Sequence, residues 1–272
     1  MSLEPVTWRL LDTGLADGAT NMAIDEAIMI AVAEKSSPPT LRFYGWQPPC
    51  VSIGYAQSMR AEIDLEACQQ RGYTWVRRPT GGRAVLHIDE LTYSITAPAD
   101  EPRVSGDILT SYRRLSRGLV EGLNALGCPA CQAEMQEEIK GNSAACFDLP
   151  SHYEVTAMGR KLVGSAQVRR KGVVLQHGAL PLCGDVSRLV EVLVLDGPAQ
   201  DALRAKLRQR AVTLAEAVGR PISFAEAMAA LCAGFARALN LHLEPGQLSE
   251  QETSCAARLR EKYLGDEWTF LK

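Results

Sequence analysis

The chain has 272 residues, enough for one large domain or a core with an appendage at about 150 residues per domain. Its 29 Lys+Arg against 32 Asp+Glu leave a formal charge of −3, and 46% hydrophobic with 22% charged residues is ordinary globular composition. That excludes a disordered, collagenous or coiled-coil chain, and with no tract that concentrates Lys and Arg, nucleic acid is not an expected partner.

The opening Met1-Ser-Leu-Glu-Pro has no charged segment followed by an apolar run, so no secretory leader is expected. The longest charge-free stretch, Phe43–Met59, holds Gly45, Pro48, Pro49 and Gly54, which argues against a membrane span. A cytoplasmic protein without membrane contact is the expectation. The eight cysteines should then stay reduced, and any special one should bind metal or do chemistry.

In chain order, Val6-Thr-Trp-Arg-Leu alternates like a strand, and Ile24, Ala27, Ile28, Ala31 and Val32 then recur at helical spacing until Ser36-Ser-Pro-Pro. Short apolar pieces follow at Leu41–Tyr44, Cys50–Ile53, Tyr73–Val76, Ala84–His87 and Leu91–Thr96, separated by Gly/Pro turns and one helix over about 63–71. A longer helix is predicted over about 106–126, closed by Gly127, and a second strand cluster over about 153–182. After Leu182 the texture turns helical: Thr213-Leu-Ala-Glu, Ser223-Phe-Ala-Glu and Ser249-Glu-Gln-Glu each have the capping-box form, and about four helices are expected. The reading is α+β, with mixed or antiparallel sheets flanked by helices: a core over 1–185 and a helical segment over 186–272 packed on it.

The P-loop, dinucleotide, nucleophile-elbow and zincin signatures are absent from the sequence. Three loops rich in Gly and basic residues remain. In Arg77-Arg-Pro-Thr-Gly-Gly-Arg83 the glycines let backbone approach a ligand while Arg77, Arg78 and Arg83 supply charge; the competing reading is a hairpin turn with solvated arginines. His87, just beyond, is on its own more often a satisfied structural histidine than an acid or base. In the second loop Cys146 follows Ser143-Ala-Ala, small residues that leave a thiol accessible, although a free cysteine is usually a small buried hydrophobe. At an unperturbed pKa only ~3% of a thiol is thiolate at pH 7, and a cation that lowers the pKa by about 1.5 units brings this to half. The third loop, Gly159-Arg-Lys161-Leu-Val-Gly-Ser-Ala-Gln167, offers such a cation in Lys161, which could otherwise guard a hairpin edge. Cys128-Pro-Ala-Cys131 is a lone C-x-x-C, a weak zinc or redox signal.

These loops resemble the biotin/lipoate protein ligase superfamily and, within it, the cysteine-dependent octanoyl-[acyl carrier protein]:protein N-octanoyltransferases. The likeness also runs through Asn21-Met-Ala-Ile-Asp-Glu, Leu41-Arg-Phe-Tyr-Gly-Trp, Ser52-Ile-Gly-Tyr-Ala-Gln, Leu86-His, Asp89-Glu-Leu-Thr-Tyr-Ser, Cys146-Phe-Asp-Leu-Pro-Ser, Leu175-Gln-His-Gly, Leu243-Glu-Pro and Asp266-Glu-Trp. It implies a ligase-like fold whose catalytic domain extends to about 245. It makes Cys146 the acyl-thioester nucleophile and Lys161 the residue that lowers its pKa and handles protons, as a neutral amine accepting one from the incoming lysine. The substrate surface it implies is drawn from Arg77, Arg78, Thr80, Gly81, Gly82, Arg83, His87, Gly164, Ser165, Ala166, His177 and Gly178. Gly81, Gly82 and Gly164 are the candidates to stabilise an oxyanion. The implied donor is octanoyl-acyl carrier protein and the acceptor a lysine of the glycine-cleavage H protein or an E2 lipoyl domain, with a monomeric enzyme and no ATP or metal cofactor. The alternatives are an ATP-dependent lipoate-protein ligase and an octanoyl amidotransferase between lipoyl domains.

Overall fold

The computed structural model describes residues 3–134 and 153–272. The chain begins with strand β1 (Val6–Ala16) and helix α1 (Gly18–Ala33), whose first turn is capped by Asp17 accepting from the Thr20 amide. Strands β2 (Thr40–Trp46) and β3 (Cys50–Ile53) follow, then short helices α2 (Met59–Glu62) and α3 (Leu65–Gln70), and strands β4 (Thr74–Arg77), β5 (Val85–His87) and β6 (Glu90–Pro98). The long helix predicted near 106–126 is α4 (Ile108–Ala125), capped by Asp107. Strands β7 (Ala130–Glu134), β8 (Tyr153–Ala157), β9 (Arg160–Arg170) and β10 (Val173–Pro181) come next. The last third holds helices α5 (Gly197–Arg210), α6 (Leu214–Val218) and α7 (Phe224–Leu239), strand β11 (Leu241–Pro245), and helices α8 (Glu250–Leu264) and α9 (Asp266–Thr269).

The described strands form two sheets, an eight-stranded one in the order β11-β1-β2-β6-β10-β9-β8-β7 and a three-stranded one in the order β4-β3-β5. Pairing is mixed, as expected: β1 runs parallel to β2 and β11, β3 parallel to β4, and the hairpins antiparallel. The large sheet is covered on both faces, so every residue of β2 is buried. Leu41 and Phe43 pack with α4 and α7 on one face; Tyr44 and Trp46 pack with α1 and α8 on the other. A third apolar cluster joins the small sheet to α3 and to Leu189–Leu193.

Helices α4 and α7 approach closely because glycines face each other. A Cβ on Gly234 would stand 2.3 Å from the Gly118 carbonyl oxygen and 2.4 Å from the Gly122 nitrogen. Two of the three expected capping boxes are complete, at Thr213/Glu216 and Ser249/Glu252. At Ser223 the hydroxyl accepts from the Glu226 amide, but the Glu226 carboxylate is taken by Arg220. The segment after 185 is not purely helical, since β11 extends the main sheet beside β1. No described helix is long and apolar enough to cross a membrane.

Candidate active site

The two sheets meet at a small cleft. One wall comes from the small sheet and the loop after it, through Ser52, Arg78, Gly82, Val85 and His87. The other comes from α1 and the large sheet, through Met22, Tyr44, Trp46, Thr92, Gly164–Ala166 and His177–Ala179. The mostly apolar lining with a few convergent polar groups fits a small-ligand site.

The large-sheet wall rests on a buried charge network. Asp25 on α1 accepts from Arg42 Nη1 at 2.7 Å, Ser94 Oγ at 2.8 Å and Tyr44 Oη at 3.0 Å, and lies 3.4 Å from His177 Nδ1. The Arg42 guanidinium is itself fully buried, and it also donates to the side chain and carbonyl of Asn21. Burial works to raise the Asp25 pKa, but Arg42, His177 and Ser94 together outweigh it and hold the carboxyl below its usual range. At His177, burial wins over Asp25, and the ring's pKa falls below the ordinary histidine value. Its Nε2 meets Thr80 Oγ1 at 2.7 Å, which ties the glycine loop to the large sheet.

The other wall is held through arginines on neutral oxygens. Arg78 donates to Ser52 Oγ and O and to the carbonyls of Gly81 and Arg83 at 2.7–3.2 Å. Gly54 must be glycine, because a Cβ there would sit 2.1 Å from the Gly82 oxygen, and Gly82 itself has φ +93°. His87 stacks on Trp46 with centroids 3.9 Å apart at 11°, and its nitrogens meet Ser52 Oγ and Glu90 Oε1, each at 2.7 Å.

Most of the residues read from the sequence as the substrate surface therefore gather here: Arg78, Gly82, His87, Gly164, Ser165, Ala166, His177 and Gly178 line the cleft. Thr80 stands behind it as the partner of His177, and Gly81 has open space where a Cβ would project. Arg77 points elsewhere: fully buried, it donates to the carbonyls of Gly54, Tyr55, Gln57, Trp268 and Thr269, and so clasps the C-terminal helix α9 to β4. Arg83 is half-exposed, 3.9 Å from Glu62. Lys161 is buried near the start of β9, paired across to Thr156, with its carbonyl accepting from Val212. Cys146 lies outside the described residues, in the stretch of chain between β7 and β8.

Burial pushes the Cys50 thiol up to about 12 and those of Cys68, Cys128 and Cys232 up to about 11, so these four stay protonated at neutral pH. Cys128 is a core residue while Cys131 is exposed and hydrogen-bonded to Thr156 at 3.3 Å, and no group of three metal-ligating side chains gathers among the described residues. The sequence reading missed Asp25, Arg42, Ser52, Trp46 and Glu90. A signal was present for two of them: an acid inside the apolar run of α1 and an arginine inside the apolar β2 can both be buried only as partners.

Residues 17–236 match the family model of the lipoyl protein ligase A/B catalytic domain. Octanoyltransferase LipM of Kyrpidia tusciae is 49% identical over 98% of this chain and 99% of its own length. The protein of the same name from Symbiobacterium thermophilum is 50% identical, over 97% and 98%. Among solved structures, the bipartite lipoate protein ligase of Thermoplasma acidophilum, studied together with its E2 lipoyl domain, superposes with a TM-score of 0.81 at 28% identity, covering 97% of this chain and 96% of that one.

Proposed function

The chain belongs to the lipoyl protein ligase A/B catalytic family, and from that premise we propose that it is an octanoyltransferase that works through a Cys146 thioester. It takes the octanoyl group from octanoyl-acyl carrier protein and passes it to a lysine of the H protein or of an E2 lipoyl domain, the first step in building the lipoyl cofactor. The observation that carries this reading is near-full-length similarity, at 49–50% identity, to proteins named octanoyltransferases. The E2 lipoyl domain beside the Thermoplasma ligase supports a lipoyl-domain acceptor.

A thioester donor is already activated, so the transfer needs neither ATP nor metal. The Cys146 sulfur attacks the donor carbonyl and the carrier's thiol leaves. The acceptor amine then attacks the acyl-enzyme, the C–N bond forms and the C–S bond breaks. Lys161, as an ammonium, stabilises the Cys146 thiolate. The apolar walls of the cleft take up the acyl chain at about 0.8 kcal/mol per buried CH₂.

Intact mass measured after mixing with octanoyl-acyl carrier protein should rise by one octanoyl group in the wild type and stay unchanged in Cys146→Ala. Transfer that survives Cys146→Ala and requires ATP would replace this reading with the ligase one. Lys161→Ala should raise the thiol pKa in an alkylation-rate titration, and an unchanged profile removes its assigned role.

A further inference from the structure

The rim of the cleft gathers positive charge around one tyrosine. Gly82, exposed on the glycine loop, is followed by Arg83, and its carbonyl packs against Gly54, next to Tyr55. The Tyr55 amide donates to the Thr80 carbonyl at 2.9 Å, so this residue is fixed to the same loop. Its half-buried ring collects cations: the Arg170 guanidinium lies 5.5 Å from the ring centroid and the Lys272 ammonium 6.0 Å. Arg170 reaches it from the large sheet because strand side chains return to one face at every second residue. Strand β9 thus carries Ala166 at the cleft and Arg170 four residues farther along the same face. Arg60, exposed on α2, lies over the Phe270 ring at 4.4 Å, two residues before Lys272 in the chain.

These four cations come from four segments and are poorly neutralised. Glu62 is 3.9 Å from Arg83 but already accepts from Gln57 at 2.6 Å. Among the described residues no carboxylate pairs with Arg60, Arg170 or Lys272, and the exposed Asp266 and Glu267 of α9 meet none of them. Elsewhere arginines such as Arg9, Arg188 and Arg260 each meet an acid, and the whole chain has a net charge of −3. A cationic rim on an anionic chain attracts a partner of opposite sign. One phosphate or one carboxylate cannot meet cations supplied by α2, the glycine loop, β9 and the chain end together, so the complement is a protein face with several carboxylates. Of the two proteins in the proposed reaction, the acceptor brings its reactive lysine as a cation, which this rim repels, whereas the donor brings an uncharged thioester.

We propose that Arg60, Arg83, Arg170 and Lys272, gathered around Tyr55, form the face on which the donor carrier protein docks through its carboxylates. The proposal rests on the transferase reading for the identity of the partner, and the docking itself makes and breaks no bond. Charges of this kind at a rim act mainly on the rate of encounter, and salt screens them over about 8 Å at physiological ionic strength.

The test measures docking apart from chemistry. Fluorescently labelled acyl carrier protein without an acyl group is titrated with the full-length protein, and an E2 lipoyl domain is titrated in the same way. Arg60→Glu combined with Lys272→Glu should weaken carrier binding on the order of 10-fold at low salt, and the difference from wild type should vanish near about 0.5 M salt. Lipoyl-domain binding should not weaken. In acyl-enzyme formation the same double variant should lose kcat/KM with octanoyl-acyl carrier protein and keep it with octanoyl-pantetheine, a small uncharged thioester that needs no docking face. Equal losses with both donors would mark a folding defect, and Arg170→Gln, which removes one charge from the same rim, should then still weaken carrier binding selectively. Carrier affinity unchanged in both variants, or a loss confined to the lipoyl domain, overturns the proposal. A wild-type protein that binds the carrier with this charge dependence but forms no octanoyl-enzyme overturns the transferase reading and leaves the docking face standing.

Discussion

The two walls of the cleft are built on opposite electrostatic plans. On the large-sheet side a buried carboxylate, Asp25, meets a buried guanidinium, Arg42, and three further donors saturate it. On the small-sheet side Arg77 and Arg78 donate to main-chain carbonyls and the Ser52 hydroxyl, and His87 reaches across to the Glu90 carboxylate on β6 of the large sheet. Closed charge pairing of the first kind resists change, because removing either partner strands a charge in low dielectric. Arginine on carbonyls instead staples loops and chain ends that have no hydrogen-bond ladder of their own. The difference shows in the two histidines: His177 sits among locked charges, whereas His87 bridges the walls, its ring on Trp46 and its nitrogens on Ser52 and Glu90.

The strongest way to break this comparison is Asp25→Ala, which leaves Arg42 buried without its partner. A loss of about 3–5 kcal/mol is expected in urea unfolding. If the loss is under ~1 kcal/mol, the large-sheet wall is not locked by charge. Arg77→Ala should cost less, roughly 2–3 kcal/mol, since it leaves neutral carbonyls rather than a charge without a partner. It should also expose the α9 segment to limited proteolysis, because Trp268 and Thr269 lose their clasp.

Next comes a glycine of the large-sheet wall. Gly178→Ala would place a Cβ 2.5 Å from Ser165 Oγ and 2.6 Å from Tyr93 Cε1, for an expected loss of about 1–3 kcal/mol.

A smaller effect concerns pH. His177 has a folded pKa below its ordinary value of 6.5, so the unfolded chain binds the proton more readily. Its contribution is therefore present above about pH 6.5 and lost as pH falls toward the folded value. Asp25, also lowered, adds its own loss only below about pH 3.9. Unfolding midpoints measured between about pH 7 and 5 should slope downward in the wild type and flatten in His177→Gln. The smallest change is Gly81→Ala, where a Cβ meets nothing within 4 Å and stability should move by less than about 0.5 kcal/mol.

Much of the architecture was legible before any coordinates, because hydrophobic period and caps act locally. The α1 pattern from Ile24 to Val32, the Gly127 stop after α4 and the capping boxes at Thr213 and Ser249 are decided within one or two turns. Motif resemblance singled out the glycine loop, His87 and the β9 and β10 residues, and the fold brings eight of the residues so named to one cleft. Arg77 and Arg78 show where this stops. Adjacent in sequence and identical in chemistry, they stand at the end of β4 and just beyond it, and one turns to the C-terminal helix, the other to Ser52 and the glycine loop.

What the sequence determined alone was the order and type of most elements, the absence of a long apolar span, and the motif residues that mark the family, because each depends on spacing along the chain. Only the tertiary structure decided that Asp25 meets Arg42, that His87 lies flat on Trp46 between Ser52 and Glu90, and that β11 returns to extend the first strand. Those pairings join residues from separate elements, and what selects them is the cost of leaving a buried charge, donor or sheet edge without a partner, a condition that exists only once the layers have closed.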